Sequence, residues 1–173
     1  FLALCIHGIC ICTMQYLVSN ISLYMYSEVY HDVTYQSISS ALSSPFMIGS
    51  MIAVPFLCKK IGLEKLIRIC LLSGGAICGC LFVMHMVMDV HPLVHGVVLG
   101  IGSGLSMVSI QMQWGLVGEA IDYNEYVTGK RTEGSIYGTF NLSRRLGQTI
   151  GQGFALYGLA WIGYEGTAAV QSA

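Results

Sequence analysis

Charged side chains are scarce in this sequence, at 10% of 173 residues, against about 25% in an ordinary soluble domain. A disordered chain is excluded, because it would combine high charge with low hydrophobicity. The net charge of -1 leaves no basic excess to meet phosphates, so we expect no nucleic-acid partner. With 54% hydrophobic residues, the composition predicts an integral membrane protein whose surroundings are the lipid bilayer.

Two further features are missing. No charged segment precedes the first apolar stretch, so that stretch does not resemble a signal peptide. The chain begins at Phe1 rather than at a methionine, which predicts a fragment of a longer protein.

Its seven cysteines lie in or at the end of apolar runs, with no histidine at metal-ligand spacing beside them. We interpret them as small membrane-core residues and predict no metal site and no cofactor.

Long apolar stretches dominate what is present. About 20 apolar residues cross a bilayer as a helix, whereas a barrel strand needs about 10, so stretches of this length indicate helices. The predicted fold class is all-α, a polytopic transmembrane helix bundle with five spans. The spans lie at about 1–26, 37–58, 66–88, 92–117 and 135–162, and two of the loops between them at 59–65 and 118–134.

The basic residues are confined to one side of this arrangement. Most of the lysines and arginines lie in or beside the breaks 59–65 and 118–134, and the other two breaks contain none. In a chain of five spans these two breaks fall on the same side of the membrane. The positive-inside rule therefore predicts that both loops and the N-terminus are cytoplasmic, with the tail after residue 163 on the other side.

Polar residues recur along one face of the fifth span. Arg145 lies eleven residues past Gly134, about 16 Å into the membrane at 1.5 Å per residue. An arginine at that depth needs an acidic partner or a polar cavity, so the face predicts contact with a substrate. The alternative is that Arg145, like its neighbour Arg144, extends to the cytoplasmic surface. The face consists of Asn141, Arg145, Gln148 and Gln152.

The first span carries a similar but weaker pattern. Tyr16, Asn20 and Tyr24 share a face at a spacing of four residues. They suit the wall of a polar cavity, and they equally suit hydrogen bonding between helices, which is common in membrane proteins. Both interpretations stay open at this point.

The break 118–134 has the most specific sequence and mixes acids with bases. Paired carboxylates can perform acid–base chemistry or hold a metal, but neither histidine nor cysteine accompanies them here. An ion-pair network at the membrane surface is the simpler interpretation. We predict that it forms a gating loop made of Asp122, Tyr123, Glu125, Lys130, Arg131 and Glu133.

One long pattern includes this break. It reads Asp122-Tyr123-x-Glu125-Tyr126-x-Thr128-Gly129-x-Arg131-x-Glu133-Gly134, then Tyr137, then Phe140-Asn141-x-x-Arg144-Arg145-Leu146-Gly147-Gln148. In these residues the chain resembles the glycoside–pentoside–hexuronide:cation symporters, the melibiose-carrier-like branch of the major facilitator superfamily. The resemblance implies that residues 1–173 are the C-terminal bundle of a transporter, with the spans corresponding to helices 7–11 of a twelve-helix fold.

The resemblance also implies a function. It is the import of a sugar or glycoside through alternating access, in symport with Na⁺ or H⁺, across a bacterial cell membrane. The coupling cation is bound mainly by an N-terminal six-helix half, which this sequence lacks and which becomes a partner of the bundle. For the sugar we predict contacts from Arg145, Asn141, Gln148, Arg144, Tyr16 and Asn20.

The chain departs from the family pattern at two positions. The family often has lysine where this chain has Arg145, and a guanidinium spans two acceptors where an ammonium is a point charge. The sugar is therefore open and an acidic sugar is conceivable. Ile110 stands near the position where some members place an aromatic residue beside the sugar.

Two alternatives remain at this stage. One is a small self-contained polytopic protein, either a channel or an assembly subunit. The other is a membrane-embedded enzyme, which would need a histidine or an acid pair inside the membrane. His7, His85 and His95 are scattered along the sequence with no acidic partner, so we predict that the protein is not an enzyme.

Overall fold

The computed structural model describes residues 1–161, and these residues form five α-helices. The first helix continues into one π-helical turn, Met25–Val29, and no strand occurs in the described part of the chain. The all-α, polytopic class is thus confirmed. The helices are α1 (Leu2–Tyr24), α2 (Thr34–Ile61), α3 (Leu63–Val87), α4 (Pro92–Thr128) and α5 (Glu133–Trp161).

Four of these helices are long and apolar enough to cross a membrane: α1 with its π-helical turn, α2, α3 and α4. Helix α5 has 29 residues, which is also sufficient length, but it is less apolar than the other four. The polar face predicted from the sequence accounts for this difference. The end of the fifth predicted span at residue 162, and the tail after residue 163, lie outside the described residues.

Both predicted cytoplasmic loops are much shorter than the sequence suggested. Only Gly62, with φ +89°, separates α2 from α3, so 59–65 is a tight turn. Helix α4 continues past residue 117 to Thr128, which reduces the break 118–134 to residues 129–132. As loops these bounds were wrong, because hydropathy marks where apolar sequence ends, whereas helical backbone hydrogen bonds continue into polar sequence. That both segments are cytoplasmic stays a prediction. At 1.5 Å per residue, α4 is about 55 Å long, against about 30 Å of hydrocarbon.

The chain divides into two compact units. The first comprises Phe1–His31 and the described residues from Leu116 onward, and the second comprises Asp32–Gly115. Helix α4 contributes its first two-thirds to the second unit and its last residues to the first.

Helices of the second unit approach closely at small residues. A Cβ atom added at Gly74 of α3 would lie 2.7 Å from the carbonyl oxygen of Gly102 in α4, and one added at Gly100 would overlap Ser43 of α2. Such approaches are typical of membrane helices that pack through small residues. Nearer to the α2–α3 turn, Leu66 and Cys70 of α3 form a buried apolar cluster with Val108 and Met112 of α4.

At the other end of the second unit, two histidines connect α3 to α4. His85 Nε2, in the last turn of α3, lies 2.9 Å from His95 Nδ1, in the first turn of α4. At this distance one nitrogen donates a hydrogen bond and the other accepts it. The prediction that the histidines are scattered was therefore wrong for this pair, because their contact depends on how the α3–α4 turn folds. His7 belongs to the first unit.

In the first unit, α1 and α5 run parallel and in close contact. Moving along both helices, Gly8 approaches Phe140, Ile9 approaches Gly147, and Thr13 approaches Gly151. A Cβ atom on either Gly147 or Gly151 would overlap a carbonyl oxygen of α1. The Thr13 hydroxyl donates a bifurcated hydrogen bond, to Ile9 O of its own helix (2.8 Å) and to Gly147 O of α5 (3.1 Å). Two glycines one turn apart thus let the backbones meet directly.

Candidate functional site

The polar face of α5 is the first part of the site. Arg145, near the middle of the helix, lies with its Nη1 atom 3.2 Å from the side-chain oxygen of Gln148, to which it donates a hydrogen bond. Asn141 and Gln152 continue the face by one turn on either side, and both are exposed. The structure therefore leaves a cation and several amide groups accessible on one side of a helix whose other side packs against α1. Such groups can bind a ligand that is rich in oxygen.

Arg144 occupies a different environment from Arg145. It is half-buried, and its Cγ atom lies 3.5 Å from where a Cβ atom of Gly8 would be. The absence of a side chain at Gly8 leaves space for the aliphatic part of Arg144 against α1. An arginine stem commonly covers apolar surface in this way. A substrate contact by Arg144 stays a prediction.

Tyr16 and Asn20 of α1 are both half-buried. Asn20 donates from Nδ2 to the carbonyl oxygen of Tyr16 at 2.7 Å, so its amide is engaged within its own helix. The two residues lie one and two turns beyond Cys12, whose Cβ atom faces Gly147 of α5. They are thus on the side of α1 that faces α5. Their contact with a sugar also stays a prediction.

The turn between α4 and α5 is held by one glycine and by hydrogen bonds of nearby side chains. Gly129 ends α4 in the left-handed region, with φ +68°, and donates its N–H to Glu125 O at 2.8 Å. The Thr128 hydroxyl bonds to Asn124 O at 2.7 Å, and Asn124 Nδ2 donates to Thr132 Oγ1 at 2.8 Å. These bonds hold residues 129–132 in one compact arrangement.

Arg131 links the two helices across this turn. Its Nη1 atom lies 3.0 Å from Glu125 Oε2 at the end of α4, and its Nε atom donates to Glu133 at the start of α5. The bond to Glu133, with the charges of both glutamates and a smaller effect of Asp122, raises the pKa of Arg131. Two of the ion pairs expected in the gating loop are therefore present. Asp122, Tyr123 and Lys130 are exposed on the surface.

A small apolar cluster connects this turn to the rest of the first unit. Val117 and Ile121 of α4 pack with Phe140 of α5, and Leu4 of α1 and Ile136 of α5 lie against them. The cytoplasmic ends predicted for α1, α4 and α5 therefore share one core. A displacement of the turn would be transmitted to α5, the helix that carries Arg145.

Some residues of the site were missed by the sequence analysis. Asn124 and Thr132 were not singled out, and Thr128 and Gly129 were named only as part of the family pattern, although a glycine directly after a helix is a recognisable ending. Thr13, which bonds across to α5, has no signal in the sequence of α1 alone. Within residues 1–161, no group of three or more His, Cys, Asp or Glu residues could hold a metal ion.

The whole chain, residues 1–173, matches the family model for MFS/sugar transport proteins. The chain belongs to the MFS/sugar transport family. Among curated relatives of this MFS chain, the glucuronide carrier protein homolog of Escherichia coli (strain K12) is 29% identical over 93% of this chain and 35% of its own length. The uncharacterized symporter YjmB of Bacillus subtilis (strain 168) is 43% identical over 51 residues, which are 30% of this chain and 11% of the relative.

The MFS chain thus spans about a third of the length of the E. coli relative that it matches. No solved structure matches it. Both relatives come from bacteria, and their descriptions, a carrier homolog and a symporter, are those of transporters.

Proposed function

We propose that this chain is the C-terminal bundle of a secondary active transporter that imports a sugar or glycoside in symport with a cation. The observation that carries the proposal is the family match over the whole chain, together with an accessible Arg145 in the middle of the least apolar helix. In the proposed arrangement, α1–α5 correspond to helices 7–11 of twelve in a bacterial cell membrane. A self-contained channel and a membrane-embedded enzyme are not favoured, because both relatives are described as transporters.

The coupling cation is expected to bind elsewhere in the full-length protein. Among residues 1–161, the acids lie near helix ends or in the extension of α4 beyond residue 117, and none is in the middle of a helix. Na⁺ prefers oxygen ligands and a transported proton needs a titratable group. An N-terminal six-helix half of the full-length protein is therefore the proposed site of the cation, and alternating access is the movement of the two halves about a substrate near the membrane midplane.

The proposed substrate is a sugar that carries a carboxylate. A guanidinium binds a carboxylate through two parallel hydrogen bonds, which an ammonium cannot do. In this chain the cation of the polar face is Arg145, and the E. coli relative is named for a glucuronide, which is an acidic sugar derivative. Asn141 and Gln148 would bind the neighbouring hydroxyl groups, because amides both donate and accept hydrogen bonds.

The full-length transporter, purified and reconstituted into liposomes, should accumulate a labelled glucuronide when an inward Na⁺ or H⁺ gradient is imposed. The matched neutral glucoside should accumulate less, since it lacks the carboxylate. A sodium or proton ionophore that collapses the gradient should abolish the accumulation. Uptake that is the same with and without either gradient would contradict symport, and the absence of uptake for every sugar tested would contradict the function itself.

The α4–α5 turn is proposed to close the cytoplasmic side when the transporter faces outward. Arg131 already pairs with Glu125 and Glu133 within the bundle, so its role is to hold the turn. The exposed groups Asp122 and Lys130 are the ones proposed to pair with the other half. Such a closure would favour the outward-facing state, and losing it would shift the balance between the two states.

Asp122→Asn should therefore slow transport in proteoliposomes while equilibrium sugar binding stays close to that of the wild type. The substitution removes the charge that would pair across the gate but leaves the polar face of α5 unchanged. Glu119→Gln, which removes an exposed acid about one turn away on the same helix, is the control and should transport normally. If Asp122→Asn transports at the same rate as the control, that result contradicts the gating role of Asp122.

A further inference from the structure

The turn between α2 and α3 concentrates positive charge at one point of the second unit. Lys59, Lys60 and Lys65 lie within three residues of Gly62, the single residue that separates the two helices. All three lysines are exposed, and none forms an ion pair within the part of the chain that the structure describes. Arg68 is exposed as well and pairs with Glu64 at 2.7 Å. One acid among four bases leaves a net positive patch.

Apolar residues of the same turn fix which way the lysines face. Cys58, Leu63 and Ile67 pack against the buried cluster around Leu66 and Cys70. Because these residues occupy the inner side of the turn, the intervening lysines lie on its outer side. The three lysines therefore lie on one side of the turn. That side faces away from the core of the second unit.

Exposed apolar side chains lie next to this patch on both helices, one helical turn further from Gly62 than the basic residues. Phe56, which is 71% exposed, precedes Lys60 by four residues on α2, so the two share a face. On α3, Ile69 follows Lys65 by four residues, and Leu72, which is 75% exposed, follows Arg68 by four. Lys60, Lys65 and Arg68 are thus each adjacent, on the same helix face, to an exposed apolar side chain.

We propose that the α2–α3 turn binds an anionic phospholipid, with the phosphate at Lys59, Lys60 and Lys65 and the acyl chains along Phe56, Ile69 and Leu72. Both α2 and α3 are apolar enough to span a membrane, and a turn of one residue keeps the lysines at the level of the headgroups. Clusters of cations beside a membrane helix attract anionic lipids. A free phosphate would use the lysines alone and leave the apolar part of the surface without a ligand.

The experiment is native mass spectrometry of the full-length transporter, titrated with phosphatidylglycerol and, separately, with phosphatidylcholine of the same acyl chains. The wild type should retain phosphatidylglycerol preferentially. Replacing one lysine, as in Lys60→Gln, should weaken retention about fivefold, and the triple variant Lys59→Gln/Lys60→Gln/Lys65→Gln about 100-fold. The triple Lys→Arg variant keeps the charges and should retain the lipid.

Lys130→Gln is the matched control, because Lys130 is an exposed cation of the other predicted cytoplasmic turn and is no part of this surface. It should retain phosphatidylglycerol as the wild type does. Displacement of the lipid by millimolar inorganic phosphate would identify free phosphate as the ligand and overturn the proposal. Equal retention of the two lipids by the wild type, or retention by the Lys→Gln triple variant within twofold of the wild type, would also overturn it. None of these outcomes depends on which sugar is transported.

Discussion

Replacing Arg145 by alanine in the full-length transporter should weaken equilibrium binding of the sugar by about 10- to 150-fold. The guanidinium is accessible in the middle of α5, where a substrate near the midplane would meet it, and no acid occurs in that part of the helix. A hydrogen bond to a charged group is worth about 1.5–3 kcal/mol, which corresponds to that range of affinity. Calorimetric titration of the purified protein with a glucuronide measures the change.

Two further variants separate ligand contact from a structural role. Arg145→Lys keeps the charge but loses the two-pronged geometry, so it should bind an acidic sugar more weakly than the wild type and more tightly than Arg145→Ala. Arg68→Ala removes an exposed arginine of the second unit and should leave affinity unchanged. Suppose instead that Arg145→Ala folds, inserts and binds within about threefold of the wild type. Arg145 is then an ion-pair partner for the N-terminal half and not a contact of the sugar.

The double substitution Gly147→Ala/Gly151→Ala should lower the thermal stability of the full-length protein in detergent. Both added Cβ atoms would overlap carbonyl oxygens of α1, at Ile9 and Thr13, and backbone atoms cannot move aside as a flexible side chain can. Overpacking of this kind costs about 1–3 kcal/mol per site. The hydrogen bond from Thr13 to Gly147 O should be lost as α1 and α5 separate.

Gly153→Ala is the matched control on the same helix. Within residues 1–161, no atom outside the neighbouring backbone of α5 lies within 4 Å of its added Cβ. Alanine also favours helix over glycine by about 1 kcal/mol, so this variant should be as stable as the wild type or more stable. The sign of the effect is thus expected to differ between neighbouring glycines of one helix. A melting temperature for Gly147→Ala/Gly151→Ala equal to that of Gly153→Ala would contradict the close packing of α1 on α5.

The polar face of α5 could be predicted from the sequence because helical spacing is a local property. Asn141, Arg145 and Gln148 share a face in any α-helix, and the structure places them so, with Arg145 bonded to Gln148. The separate environment of Arg144 could not be derived in this way. It depends on Gly8, which is distant in sequence and meets Arg144 only after α1 and α5 have packed.

Helix ends and turns could be predicted from the sequence less well than the polar face. The acids and bases of 118–134 end the apolar stretch and so predict a loop, but most of this break is the continuation of α4. What ends α4 is the left-handed conformation of Gly129 and the bonds around it, a signal carried by a few residues. The contact of His85 with His95 requires the path of the α3–α4 turn, which no periodicity encodes.

The contact between α1 and α5 also has a consequence for biosynthesis. Thr13 and Gly147, which bond to each other, are 134 positions apart. A ribosome that adds about 5–20 residues per second produces Gly147 about 7–27 s after Thr13. During that interval α2, α3 and α4 are made, and the face of α1 that will contact Gly147 and Gly151 does not yet have its partner. Helix α5 is the least apolar of the five, so we expect its integration into the bilayer to depend on packing against α1 as well as on its own hydropathy.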